Sequence, residues 1–232
     1  MTDSKIIVAL DFPDEASTMN MVDRINPELC RLKIGKELFT RCGPDLVKKI
    51  VNSGYDVFLD LKYHDIPNTV ANACKAAADL GVWMMNVHAL GGPAMLNAAR
   101  NALSDSDSPL LIAVTILTSS SDDDLKAVGI NQSTADMVKR LALLSKDQGL
   151  DGVVCSAQEA SDLKSALGHD FILVTPGIRL PADDVGDQKR IVSPTDAVRQ
   201  GSDYLVIGRP ITQADDPVQK LLTINSDISH CN

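Results

Sequence analysis

The chain has 232 residues, 44% of them hydrophobic, 23% charged and only 3% aromatic, with a formal net charge of -9. That length and apolar content bury one large core, and a single domain over residues 1–232 is the expectation. Scattered cations in an acidic chain with few rings to stack bases argue against a nucleic-acid partner.

In chain order, short β-branched runs alternate with segments of helical period, the pattern of repeated βα units on a parallel sheet. The spacing predicts strand 6–10 and helix 14–25, strand 31–34 and helix 44–52, then strand 57–61 and helix 68–80. Strand 82–87 and helix 93–103 follow, then strand 110–114 and helix 135–148, and strand 152–155 and helix 158–167. Strand 172–175 with helix 194–200 and strand 205–207 with helix 217–228 complete eight units. Several helices carry Pro near the first turn, and Gly81, Gly149 and Gly201 stand just past helix ends, where a left-handed backbone is wanted. Eight units in this length predict an α/β TIM (β/α)8 barrel, a fold of typically ~250 residues. A doubly wound sheet shares the alternation, but no Gly-x-Gly-x-x-Gly follows the first strand.

The five cysteines, at 30, 42, 74, 155 and 231, form no Cys-x-x-Cys pair and no zinc-like spacing, so reduced and mostly buried thiols are expected. The start of the chain has no long apolar signal region, and no stretch reaches the about 18 apolar residues of a membrane span. A cytoplasmic protein with no membrane partner is the expectation.

TIM-barrel sites lie at the C-terminal ends of the strands. Asp11, Lys33, Asp60, Lys62, His88, Thr115, Ser156, Arg179 and Arg209 all end strands or open the following loops. The densest run is Asp60-Leu61-Lys62-Tyr63-His64-Asp65. Strand alternation puts Asp60 and Lys62 on one face, the barrel interior, and Lys33 on the neighbouring strand can join them. Taken alone, an Asp-x-Lys pair reads as a structural salt bridge. Charged groups at several strand ends, with Gly208-Arg209 after the last strand as a phosphate-type site, favour a catalytic reading. A lysine flanked by carboxylates is a cation and a proton donor, whereas a Schiff-base lysine needs desolvation or a nearby cation. The polar stretch 179–188 suits a lid, although Asp183, Asp184 and Asp187 taken singly read as ordinary surface. His88 reads as structural, His64 as serving either an interface or the site, His169 and His230 as solvent-facing, and Asn86 as interior packing.

The stretches 8–11 (VALD), 32–35 (LKIG), 60–69 (DLKYHDIPNT), 87–89 (VHA), 174–179 (VTPGIR) and 207–210 (IGRP) resemble the orotidine 5′-phosphate decarboxylases, the proteobacterial members above all, over nearly the whole chain. The resemblance implies a cofactor-free carboxy-lyase of pyrimidine biosynthesis, converting orotidine 5′-monophosphate to uridine 5′-monophosphate, with no metal. By the same resemblance Lys62 protonates C6, Asp60 faces the substrate carboxylate, and Lys33 and Asp65 complete an alternating network. Asp65, Ile66 and Thr69 resemble contributions to a neighbouring subunit's site, which implies a homodimer with shared active sites. Asp11 and Lys33 would hold the ribose hydroxyls, and Thr118 would meet the pyrimidine, with the register of Ser119, Ser120 and Ser121 left open. Gln188, Gly208 and Arg209 would bind the phosphate, with Arg179 opening the lid.

Two other readings stand beside it. One is a magnesium-dependent sugar-phosphate decarboxylase or aldolase of the same superfamily, which places an acidic ligand where Lys33 stands; an ammonium group does not coordinate a hard cation. The other is a noncatalytic phosphate-binding barrel, which would leave Lys62 and its surroundings without a role.

Overall fold

The computed structural model describes residues 4–103, 108–179 and 192–231. Eight parallel strands close on themselves in sequence order, each hydrogen-bonded to the next and the eighth to the first. The open doubly wound sheet is thereby excluded. The strands are β1 (Ile6–Ala9), β2 (Arg31–Gly35), β3 (Val57–Tyr63), β4 (Met84–His88), β5 (Leu110–Val114), β6 (Gly152–Val154), β7 (Ile172–Thr175) and β8 (Tyr204–Ile207). Between them run α1 (Glu15–Arg24), α2 (Lys36–Asn52), α3 (Pro67–Ala78), α4 (Gly92–Asn101), α5 (Asp122–Ala127), α6 (Thr134–Asp147), α7 (Ala160–Leu167) and α8 (Pro194–Arg199). After β8 come α9 (Arg209–Thr212) and α10 (Pro217–Ser229).

Every predicted strand and helix is present, most with ends shifted by one or two residues. Three α-helical pieces were not predicted, nor was a single 3-10 turn over Ala89–Gly91. α2 begins directly after β2 and breaks at Gly43, whose φ of 69° is left-handed, so the predicted segment beginning at Pro44 is only its second half. The six-residue α5 and four-residue α9 are too short to carry a hydrophobic period. Gly81, Gly149 and Gly201 adopt positive φ past their helices, as the sequence required.

Alternation along the strands sorts the core into two layers. Ile7, Ala9, Phe58, Met84, Ile112, Val174 and Val206 fill the barrel interior. Their strand neighbours Ile6, Val8, Leu10, Leu59, Met85 and Leu111 face the helices. At the N-terminal end the Arg31 guanidinium lies 4.5 Å from the Trp83 ring and 5.1 Å from that of Tyr204, with Asp56 3.3 Å from its Nε. A buried cation between two rings closes that end of the barrel, and the opposite mouth stays open. The cysteines are free, three buried and two half-buried.

Candidate active site

At the C-terminal mouth a cavity of about 330 Å³ is lined by Asp11, Lys33, Asp60, Lys62, Thr118, Arg179, Gly208 and Arg209, together with apolar residues that include Ile116, Leu117 and Pro176. Polar groups converging on an apolar wall is the usual composition of a small-molecule site. The charged members arrive from the ends of five strands or the loops after them, β1 through Asp11, β2 through Lys33, β3 through Asp60 and Lys62, β7 through Arg179 and β8 through Arg209.

The Asp60 carboxylate is the centre of the cluster. Its Oδ1 accepts the Lys62 ammonium at 2.5 Å, and its Oδ2 lies 3.5 Å from Lys33 Nζ. Lys33 also lies 3.6 Å from Asp11 Oδ1. Burial by itself pushes the Asp60 carboxyl up. The Lys33 and Lys62 charges, with hydrogen bonds from Lys62 and Asn86, outweigh that and hold it below the ordinary 3.8. Asp60 is therefore an anion at neutral pH. Room for the Lys33 ammonium depends on Gly35, since a Cβ there would stand 3.1 Å from Nζ.

β3 is not regular where it delivers this pair. Leu59 pairs with Met85 but Tyr63 pairs with Val87, so β3 spends two more residues than β4 over the same span. Lys62 sits in that bulge with φ of 54°, the one left-handed residue other than glycine among the described residues. Simple alternation predicted that Asp60 and Lys62 meet, and they do; the bulge was not legible.

Other expectations are partly met. Thr118 lines the cavity and so does Ser119, whereas Ser121 caps α5 through Asp124. Of the three serines after Thr118, Ser119 is the one on the cavity wall. Thr115 hydrogen-bonds the Val154 carbonyl and Ser156 caps a short turn, so neither is in the cavity wall despite ending a strand. Asp65, Ile66 and Thr69 are exposed and stand outside the cavity within one chain. Asp65 and Ile66 line a separate surface cleft with His64, Pro67 and Leu90. His88 stacks on His64 with ring centroids 5.5 Å apart. Burial, with His64, Lys36 and Lys62 nearby, lowers the His88 imidazole to about 4, which keeps it neutral; the hydrogen-bonding role expected of it is not seen, since its buried Nδ1 has no partner among the described residues. Gln188 lies outside the described residues, as does the 180–188 part of the lid stretch. Asn86, read as packing, is instead hydrogen-bonded to Asp60 and to the Lys62 main chain. Its alternation with His88 placed it in the interior, but no sequence signal named its partners.

Lys33 occupies the space between Asp11 and Asp60 that a bridging metal ion would need. Among the described residues no three His, Cys, Asp or Glu side chains come together as a metal site. The arrangement can hold a polyanion and deliver a proton from Lys62.

The model of the orotidine 5′-phosphate decarboxylase / HUMPS family matches residues 4–224. The chain belongs to this family. It is 58% identical over 231 residues to the orotidine 5′-phosphate decarboxylase of Aliivibrio fischeri (strain MJ11), covering 99% of both chains. Identity to the enzyme of that name from Nitrosospira multiformis is 60% over 229 residues, 98% of this chain and 95% of the relative. The crystal structure of orotidine 5′-phosphate decarboxylase from Lactobacillus acidophilus superposes with a TM-score of 0.86 at 40% identity, over 97% of this chain and 99% of that one.

Proposed function

We propose that this chain decarboxylates orotidine 5′-monophosphate to uridine 5′-monophosphate. The observation that carries the reading is the Lys33–Asp60–Lys62 cluster on the wall of a cavity that also exposes Gly208 and Arg209, in a member of this decarboxylase family. Loss of carbon dioxide breaks the bond from C6 to the carboxylate and leaves the electron pair at C6. That pair lies in the ring plane and cannot delocalise into the π system. It needs positive charge held in place, and Lys62 supplies it with Lys33 behind. The Lys62 ammonium then gives its proton to C6 and becomes an amine, which takes a proton from water after product leaves.

The rest of the wall positions the substrate. Asp11 and Lys33 suit the ribose hydroxyls, Thr118 and Ser119 the pyrimidine edge, and the Gly208 N–H and Arg209 fork the phosphate, with Arg179 on the same wall; the family resemblance adds Gln188 to the phosphate group. Binding energy from a remote phosphate is then expressed at C6.

The active unit in this reading is a homodimer. Support comes from the face around Asp65, where Ile66 is 67% and Leu90 44% exposed in the same cleft. A two-fold partner covering that apolar face brings its Asp65, Ile66 and Thr69 to the other mouth. Among the described residues no helix is long and apolar enough to cross a membrane. We place the enzyme in the cytoplasm, because its phosphorylated substrate and product do not pass a bilayer unaided.

The deciding experiment mixes purified protein with orotidine monophosphate and follows the fall in its ultraviolet absorbance. Uridine monophosphate as product is the expected result; no product overturns the proposal. Activity that disappears with a chelator would favour the metal-dependent relatives instead.

A further inference from the structure

Asn86 is fully buried on β4, one interior step beyond the core residue Met84, and does not line the cavity. Its amide nevertheless spans the two groups on which the proposed chemistry depends. Nδ2 donates to Asp60 Oδ1 at 2.6 Å, and Oδ1 accepts from the Lys62 main-chain N–H at 2.7 Å. A main-chain N–H only donates and an ionised carboxylate only accepts, so both ends of the amide are dictated and it has one orientation.

The position of these bonds gives them a consequence beyond local satisfaction. Lys62 lies in the β3 bulge with a left-handed backbone, a conformation that a non-glycine residue keeps only where its surroundings impose it. The bulge withdraws the Lys62 N–H from the strand ladder, and Asn86 takes it up. The same amide holds the Asp60 oxygen that receives the Lys62 ammonium at 2.5 Å. One side chain on the neighbouring strand thus clamps the backbone that aims the proton donor and the carboxylate that receives its charge.

We infer that Asn86 is a positioning residue of the active site, which sets the Lys62 ammonium against Asp60 by holding the β3 bulge in its left-handed form. The inference deepens the decarboxylase reading and rests on it. An amide presents its donor and its acceptor on two separate atoms and keeps both at every working pH. Leucine keeps the branching and the number of side-chain heavy atoms with neither, and aspartate offers the donor only when protonated.

The test compares native protein with Asn86→Leu and Asn86→Asp. In N86L, kcat for orotidine monophosphate is expected to fall at least about 30-fold with KM changed less than about threefold, because the phosphate contacts are untouched. The acid limb of its pH profile moves to higher pH, since Asp60 has lost a donor to its charged form. In N86D the rate rises as pH falls through neutrality, as the new carboxyl gains the proton it needs to donate to Asp60. A merely structural residue would lower stability but leave the shape of the pH profile alone. Folded N86L with kcat within threefold of native, or N86D with a profile parallel to native, overturns the inference.

Crystal structures of native protein and N86L provide a readout independent of turnover. Loss of the left-handed Lys62 backbone or of its contact with Asp60 in the variant supports the clamp, and retention of both refutes it. If native protein does not decarboxylate orotidine monophosphate, the reading of function fails while this structural comparison still decides the clamp.

Discussion

Replacing Asp60 with Asn tests whether the charge cluster is held together by that one carboxylate. Two donors converge on Oδ1, the Lys62 ammonium at 2.5 Å and the Asn86 amide at 2.6 Å, and Lys33 lies 3.5 Å from Oδ2. An amide has one oxygen, so its NH2 must face a donor; Lys62 loses its carboxylate and Lys33 keeps only Asp11. At an effective dielectric of about 20, the gross attraction of Asp60 is about 5 kcal/mol for Lys33 and about 7 kcal/mol for Lys62. Desolvation offsets most of it, because the Asp60 side chain is only 13% exposed. Removing one partner of a buried pair then leaves a loss of about 3–5 kcal/mol. For a chain of this length that corresponds to a melting temperature lower by about 6–20 °C.

The assay is urea unfolding at fixed protein concentration, followed by circular dichroism and by the fluorescence of the single tryptophan, Trp83. Its pH dependence has a defined sign. Asp60 titrates below 3.8 in the fold, so its stabilisation is complete well above 3.8 and disappears as pH falls through the folded value. The gap between native and Asp60→Asn should be full above about pH 5 and narrow below 3.8. A variant within about 1 kcal/mol of native at pH 7, or a gap unchanged down to pH 3, would show that the cluster is not organised by Asp60.

Arg209→Ala should lower kcat/KM for the nucleotide about 10- to 100-fold, the worth of a charge-assisted bond to phosphate, and leave the phosphate-free nucleoside unaffected; equal losses with both would place Arg209 elsewhere. Lys62→Ala and Asp65→Ala homodimers should each be nearly inactive, but after subunit exchange half the dimers are hybrids with one intact site, so roughly one quarter of sites recover. Exchange shown by mass spectrometry without recovered activity would mean that Asp65 acts within its own chain. His88 is neutral in the fold down to about 4, whereas an exposed imidazole titrates near 6.5, so native stability should fall as pH drops from 6.5 to 4. The shift corresponds to at most about 3 kcal/mol, and to about 1–2 kcal/mol once partial exposure is allowed for; His88→Gln should remove that slope, and an unchanged slope would assign it to other groups.

Local pattern determined most of the fold. Short apolar, β-branched runs at the strands and the three- and four-residue spacing of the helices express contacts with a core that every unit shares, so eight βα units were countable without coordinates. Glycines at 81, 149 and 201 marked helix ends because left-handed backbone is a local demand. Asp60 and Lys62 could be paired for the same reason, being two residues apart on one strand. α5 escaped a reading based on periodicity, although Ser121 and Asp124 form a capping box that a search for caps would have found. What the sequence could not determine is where partners lie far apart along the chain. Asn86 hydrogen-bonds residues 24 and 26 positions away, and only the register of β3 against β4 brings them together. The same register makes the bulge that turns Lys62 into a left-handed backbone, a conformation its own side chain disfavours. The placing of Ser119 on the cavity wall, and of Asp65 outside the cavity of its own chain, likewise depended on how loops pack over the closed barrel. Closure is a property of all eight strands at once, and no window of sequence contains it.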